Sequence, residues 1–118
     1  MRLAIRLAIP ALIAGVTLVA CASTATPAAS APPKATVNIK GFAFSPVTLE
    51  IAKGTVVTWH NQDSTTHTLT SGANRTKDGK FDKQLSGDAE DSVTFDTAGT
   101  LDYFCSFHSS MNAKVVVK

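Results

Sequence analysis

Short runs rich in Val, Thr, Ile, Phe and Trp recur from residue 36 to the end of the chain, with turn residues between them. β-Branched and aromatic residues favour strands, and no amphipathic helical period of useful length interrupts these runs. The spacing predicts an all-β sandwich with about seven or eight strands. The predicted strands are 36–40, 48–51, 55–61, 68–71, 81–85, 92–96, 100–105 and 113–117.

Alternation within these strands predicts which side chains are buried. Val57 and Trp59 share one side of their strand, while His60 lies on the other side and is predicted to be a surface residue. Tyr103 and Cys105 also share one side. If the apolar side of each strand faces inward, Cys105 enters the interior from the end of a core strand.

The first twenty residues predict an export signal. Arg2 and Arg6 give a positive start, and residues 7–20 form an uncharged, mostly apolar run. A run of this length is typical of a signal peptide. It is shorter than the roughly 20 apolar residues that a membrane-spanning helix needs, so a permanent helical anchor is the less favoured alternative.

Residues 18–21 read Leu-Val-Ala-Cys, which resembles the lipobox of bacterial lipoproteins. The resemblance implies lipid attachment at Cys21 and cleavage just before it. The exported protein would then lie in the periplasm or cell envelope, anchored to a membrane by the lipid. A soluble secreted protein cleaved near Ala22 is the alternative. Residues 21–35 then form a flexible Ala, Pro, Thr and Ser linker, and residues 36–118 form one domain.

The balance of charge argues against a nucleic-acid partner. The chain carries a formal charge of +2, and Arg2 and Arg6 in the predicted signal account for that excess. A neutral domain lacks the basic surface that binding to phosphates requires. We therefore expect no nucleic-acid partner.

The residues that carry chemistry fall in two places. Cys105, His108 and Met111 form a C-x-x-H-x-x-M run, and His67 follows a loop-like NQDSTT stretch. Two imidazoles, a thiolate and a weak thioether are the blue-copper donor set. Zinc suits the Cys and His, but a thioether adds little for it. A Cys21–Cys105 disulfide is the alternative use of the two cysteines, since an exported chain permits one.

The stretches VVTWHNQDSTTHTLTSG and GTLDYFCSFHSSM resemble the small cupredoxins, with the ligand-loop spacing of amicyanin-like members. The resemblance implies a Greek-key sandwich that binds one copper ion, Cu(II) or Cu(I). It implies His67, Cys105 and His108 as equatorial ligands and Met111 as the axial ligand. It further implies an electron carrier rather than an enzyme, which we expect to be a monomer with transient redox protein partners.

Three residues are expected to support the ligands. By family resemblance, Thr68 ties the two ligand loops together near the sulfur, and Asn61 has the inward parity to stabilise its loop through backbone hydrogen bonds. Phe107 occupies a position where the family often carries Pro. If the Phe107 N–H reaches the Cys105 sulfur, it favours Cu(I), and Phe107→Pro would lower the reduction potential.

Two other functions remain open from the sequence. An exported copper protein of this kind could store or deliver the metal instead of carrying electrons. A metal-free adhesive sandwich is the third possibility. A thiolate-containing, nearly closed site favours the electron carrier, because such a site releases copper slowly.

Overall fold

The computed structural model describes Gly15 and residues 30–118. Apart from Gly15, the predicted signal 1–20, Cys21 and the linker up to residue 29 lie outside the described residues. Within the described part, no helix is both long enough and apolar enough to span a membrane.

Strands make up almost all of the regular structure, which confirms the predicted all-β class. Residues 30–118 form nine strands rather than seven or eight, because a two-residue strand is too short to show alternation. One short 3₁₀ turn covers Ala73–Arg75. The strands are β1 (Lys34–Ile39), β2 (Phe44–Ser45), β3 (Thr48–Ile51), β4 (Thr55–Asn61), β5 (His67–Ser71), β6 (Asp82–Leu85), β7 (Glu90–Phe95), β8 (Gly99–Phe104) and β9 (Asn112–Val117).

The strands form two sheets, with the orders β2-β1-β4-β7 and β3-β9-β8-β5-β6. The pairs β1–β4 and β3–β9 are parallel, and the other pairs are antiparallel. Because parallel neighbours cannot be joined by a hairpin, the chain crosses from one sheet to the other several times. These crossings connect the two sheets into one sandwich rather than a simple meander.

Aromatic side chains fill the space between the sheets. Trp59 and Tyr103 meet edge to face with ring centroids 5.5 Å apart, and the ring centroids of Phe81 and Phe95 lie 6.1 and 6.2 Å from that of the indole. Val57 and Trp59 are fully buried, as the alternation predicts, whereas His60 is partly exposed. Burial of such large rings supplies much of the hydrophobic driving force in a domain of this size.

One end of the sandwich carries the loop between β4 and β5 and the loop between β8 and β9. The turn from β1 to β2 covers the same end. In that turn Phe42 has φ 58°, a left-handed backbone that a bulky residue seldom adopts. The Asp63 carboxylate accepts hydrogen bonds from Gly41 N at 2.7 Å and Phe42 N at 2.9 Å. This carboxylate therefore joins the turn to the β4–β5 loop.

Candidate metal centre

Three donor atoms from two loops converge at this end of the sandwich. His67 Nδ1 lies 3.1 Å from His108 Nδ1. Cys105 Sγ lies 3.4 Å from His108 Nδ1 and 3.9 Å from His67 Nδ1. His67 and Cys105 are fully buried and His108 is half-buried, so the cluster is reached from solvent on the His108 side.

The size of this triangle fits one metal ion. Imidazole nitrogens and thiolates hold an ion such as zinc at about 2.0 and 2.3 Å, so three donors around one centre lie about 3.5 to 3.8 Å apart. The three observed separations, 3.1, 3.4 and 3.9 Å, bracket that range. A thiolate with two imidazoles is a soft donor set that suits copper.

The loop after β8 is closed by its own backbone. Cys105 N donates to Met111 O at 3.0 Å, and Met111 N donates to His108 O at 3.2 Å. Cys105 follows the last residue of β8, and Met111 precedes the first residue of β9. Met111 is 1% exposed. The loop therefore leaves and re-enters the sheet at adjacent points, with all three of its donor-type side chains on one short turn.

His67 is held from its far side by a carboxylate. Its Nε2 lies 2.9 Å from Asp63 Oδ2. Hydrogen bonds from the backbone N–H of Phe42 and of Gly41 and from His67 hold the pKa of Asp63 below its ordinary value, against the opposing effect of burial. An ionised carboxylate accepts hydrogen bonds, so His67 Nε2–H donates to Asp63, and Nδ1 is the ring nitrogen that faces the cluster.

Thr68 bonds to both sides of the site. Its backbone N–H donates to Cys105 Sγ at 3.3 Å, and its Oγ1 accepts from Ser106 N at 2.7 Å. These two bonds join the strand that carries His67 to the loop that carries Cys105. A donor at a thiolate sulfur withdraws charge from it, which tunes the metal that the sulfur binds.

Asn61 organises the β4–β5 loop. Its Nδ2 donates to the carbonyls of Thr65, Leu85 and Ser86 at 2.8, 3.1 and 3.0 Å. Its Oδ1 accepts from Asp63 N at 3.0 Å. The buried amide thereby fixes the segment that sets the position of Asp63.

Phe107 does not make the hydrogen bond that the sequence-based hypothesis requires. The backbone donor at the Cys105 sulfur is Thr68 N–H, and the described residues include no hydrogen bond from Phe107 to that sulfur. Phe107 is 56% exposed, and its ring centroid lies 6.5 Å from that of His108. The expectation that Phe107→Pro lowers the reduction potential depended on a hydrogen bond from Phe107 N–H to the Cys105 sulfur, and that bond is not made within residues 30–118.

Two side chains that the sequence did not single out contact the cluster from outside. The Phe42 ring meets His108 and His67 edge to face, with centroids 4.9 and 5.3 Å away. Arg75 donates to three backbone carbonyls of the Cys105–Met111 loop. A residue that acts through its neighbours' backbone leaves no signal in a motif, whereas Asp63, a third contact of this kind, lies within the NQDSTT stretch that precedes His67.

This fold and this site together define a class: β-sandwich proteins with a thiolate–imidazole copper-type centre at one end. The chain belongs to the family of cupredoxin-like domains, whose match covers residues 11–117. The predicted family is thus confirmed. No curated protein is significantly similar to the chain.

Several solved structures share this fold. A purple cupredoxin from Nitrosopumilus maritimus is 31% identical with a TM-score of 0.66, over 71% of this chain and 99% of that chain. A Cu(I) form of an amicyanin mutant is 29% identical with a TM-score of 0.66, over 75% of this chain and 86% of that chain. An oxidised amicyanin mutant is 30% identical with a TM-score of 0.63, over 70% and 80%.

The cofactor of this family member is one copper ion. The family match and the His67, Cys105 and His108 donors point to the same metal. Softness of the sulfur and nitrogen donors is the chemical reason. The predicted copper cofactor is therefore confirmed.

Proposed function

We propose that this chain is a type 1 (blue) copper protein that carries single electrons between redox partners outside the cytoplasm. The observation that carries the proposal is the convergence of one thiol sulfur and two Nδ1 atoms within 3.9 Å of one another. In this proposal His67, Cys105 and His108 are the equatorial ligands and Met111 is the axial ligand. When bound, copper supplies the one-electron change between Cu(II) and Cu(I).

The protein's contribution is to hold these donors in one arrangement for both charge states. Cys105 and His67 are fully buried. Thr68 N–H donates to Cys105 Sγ and Asp63 Oδ2 accepts from His67 Nε2, and neither of these two bonds involves a metal. A site that is fixed before the metal changes charge needs little rearrangement during transfer. No substrate site is required, so we propose a carrier rather than an enzyme.

The half-buried His108 is the proposed point of electron entry and exit. Its ring is flanked by Phe42, 46% exposed, and Phe107, 56% exposed. Apolar side chains around a redox centre suit brief encounters, whose interfaces are small. We propose transient protein partners at this end and a monomeric carrier.

The location of the protein is also a proposal. The signal 1–20 and lipidation at Cys21 would place the domain in the periplasm or cell envelope, joined to a membrane by a lipid and the linker 21–35. The test is the mass of the mature chain purified from membranes. A diacylglyceryl group on Cys21 supports the anchor, and an unmodified mature terminus contradicts it.

The function is tested by adding Cu(II) to the purified protein. We expect an intense thiolate-to-copper absorption band and reversible one-electron voltammetry. Cys105→Ser should abolish the band, while His60→Ala, at a histidine outside the cluster, should leave it unchanged. Absence of the band in the wild type would overturn the proposal.

A chelator distinguishes the carrier from the alternative of copper storage or delivery. A buried, thiolate-bound ion should exchange slowly. Prompt loss of copper to a modest chelator, with slow voltammetry, would favour delivery instead.

A further inference from the structure

We propose that Arg75 is a positioning residue of the metal centre, which holds the Cys105–Met111 loop in its ligand-bearing shape whether or not the metal is bound. The inference deepens the proposed function and rests on it for its redox consequence. Its structural part concerns the protein alone and is tested separately in the metal-free chain.

The guanidinium of Arg75 spans the segment between two proposed ligands. Nη2 donates to Cys105 O at 3.0 Å. Nη1 donates to His108 O and Ser109 O, each at 3.3 Å. Because the guanidinium is a rigid planar fork, it fixes these carbonyls relative to one another. The backbone of Cys105 and that of His108 are thus joined through one side chain from a different part of the chain.

The backbone conformation at Asn74 and Arg75 is energetically unfavourable by itself. Asn74 has φ 50° and Arg75 has φ 59°, so two consecutive non-glycine residues adopt the left-handed region. Such conformations persist where surrounding contacts determine them. The Arg75 guanidinium also lies over the Phe104 ring, 5.0 Å from its centroid. The contacts with Phe104 and the three carbonyls explain why this turn is held.

The charge of Arg75 is not neutralised by an ion pair. No carboxylate of the described residues lies within salt-bridge distance of it, whereas Lys77 and Lys80 of the same segment face Asp82 and Asp78. The positive charge of Arg75 therefore lies beside the backbone carbonyls of the Cys105–Met111 loop. A cation beside the centre favours the less positive state of the metal, which is Cu(I), and so raises the reduction potential.

The metal-free protein provides the first test. Amide hydrogen exchange of residues 105–111 reports how firmly the loop is held. Arg75→Ala removes the charge and the fork, and Arg75→Lys keeps the charge but not the fork. We expect exchange about tenfold faster in Arg75→Ala, the loss expected when bonds to a charged donor disappear, and partial protection in Arg75→Lys. Lys80→Ala, an exposed cation of the same segment, is the control and should change nothing.

The copper-loaded protein provides the second test. Arg75→Ala should shift the reduction potential downward and release copper faster, with the visible band retained. Arg75→Lys should restore most of the potential but only part of the loop protection. This difference between the two variants is not expected if Arg75 only stabilises the fold, because the reduction potential would then not depend on whether residue 75 keeps its positive charge.

The outcomes separate the two proposals. Wild-type protein that binds no copper defeats the proposed function, while the exchange measurement still tests Arg75. Unchanged loop exchange in Arg75→Ala overturns the inference. If Arg75→Ala does not fold, unchanged exchange in Arg75→Lys overturns it equally, since the lysine cannot span the three carbonyls. Altered exchange with an unchanged potential overturns the redox part.

Discussion

His67 Nε2 and Asp63 Oδ2 lie 2.9 Å apart, at the back of the donor cluster. The same carboxylate accepts the backbone N–H groups of Gly41 and Phe42. One side chain therefore accepts a hydrogen bond from the His67 imidazole and holds the turn that places the Phe42 ring against that imidazole, edge to face. Carboxylate partners of this kind raise the basicity of a ligating histidine.

Asp63→Asn should weaken copper binding and raise the reduction potential. The substitution keeps the shape but removes a negative charge that favours Cu(II). Loss of such a partner typically costs about 10- to 100-fold in metal affinity. Competition with a chelator measures the affinity, and voltammetry measures the potential. Glu90→Gln, at an exposed carboxylate 3.8 Å from the surface His60, is the control. Equal affinities for Asp63→Asn and wild type would contradict the role.

Thr68→Val should destabilise the metal-free protein by about 1 kcal/mol, because Ser106 N–H loses its hydrogen-bond acceptor while the volume is almost kept. The Oγ1–N distance of 2.7 Å and the burial of Thr68 make this a well-formed bond. Urea unfolding measures the free energy of unfolding. The matched variant Thr58→Val removes a bond to the exposed Ser92 hydroxyl, and its effect should stay within about 0.5 kcal/mol. Equal effects of the two variants would refute the prediction.

Alternation predicted the bounds of two strands correctly. The segments 48–51 and 55–61 have the bounds of β3 and β4, because their inward residues pack on the core while their outward residues are polar or partly exposed. The run Cys105 to Met111 and the separate His67 were also recognised, since their residue types carry the chemistry. The structure brings His67, Cys105 and His108 together.

Features that depend on left-handed backbone were not predictable in this way. The Gly41–Phe42 turn and the Asn74–Arg75 turn have positive φ values. Neither Phe nor Arg favours the left-handed region, so the residue types at these positions do not indicate the turns. The bonds from Arg75 to the Cys105–Met111 loop span 30 residues or more, and they exist only because β5 and β8 pair side by side.

Gly72→Ala should be strongly destabilising, because it would displace the segment that carries Arg75. Gly72 has φ 141°, and an added Cβ would lie 1.7 Å from Thr76 O. Backbone cannot move aside as a flexible side chain can, so we expect a loss of about 3 kcal/mol. Gly79→Ala, at φ 81° with open space around the new methyl, should cost about 1 kcal/mol. Unfolding followed by the single Trp59 measures both, and similar losses would show that the clash is relieved.

Tyr103 should titrate far above the usual range for tyrosine. Its hydroxyl is buried with no hydrogen-bond partner among the described residues. Burial raises the pKa of Tyr103 to about 12. Because Tyr103 is the chain's single tyrosine, the ultraviolet absorbance of tyrosinate reports this group alone. A midpoint near that of an unfolded tyrosine, about 10, would show that the hydroxyl is accessible in the folded protein.

The same shift predicts how stability changes in alkali. Unfolded tyrosine loses its proton at about pH 10, whereas the folded protein keeps the proton to about pH 12. The folded state then binds more protons, so the free energy of unfolding falls as pH rises through this window, by about 2 to 3 kcal/mol at its upper end. Lysines also titrate there, so Tyr103→Phe is the matched control. The variant should lose less stability than the wild type over this window, and parallel curves would contradict the prediction. Below pH 10 the variant should be at least as stable as the wild type, because it removes a buried hydroxyl that lacks a partner.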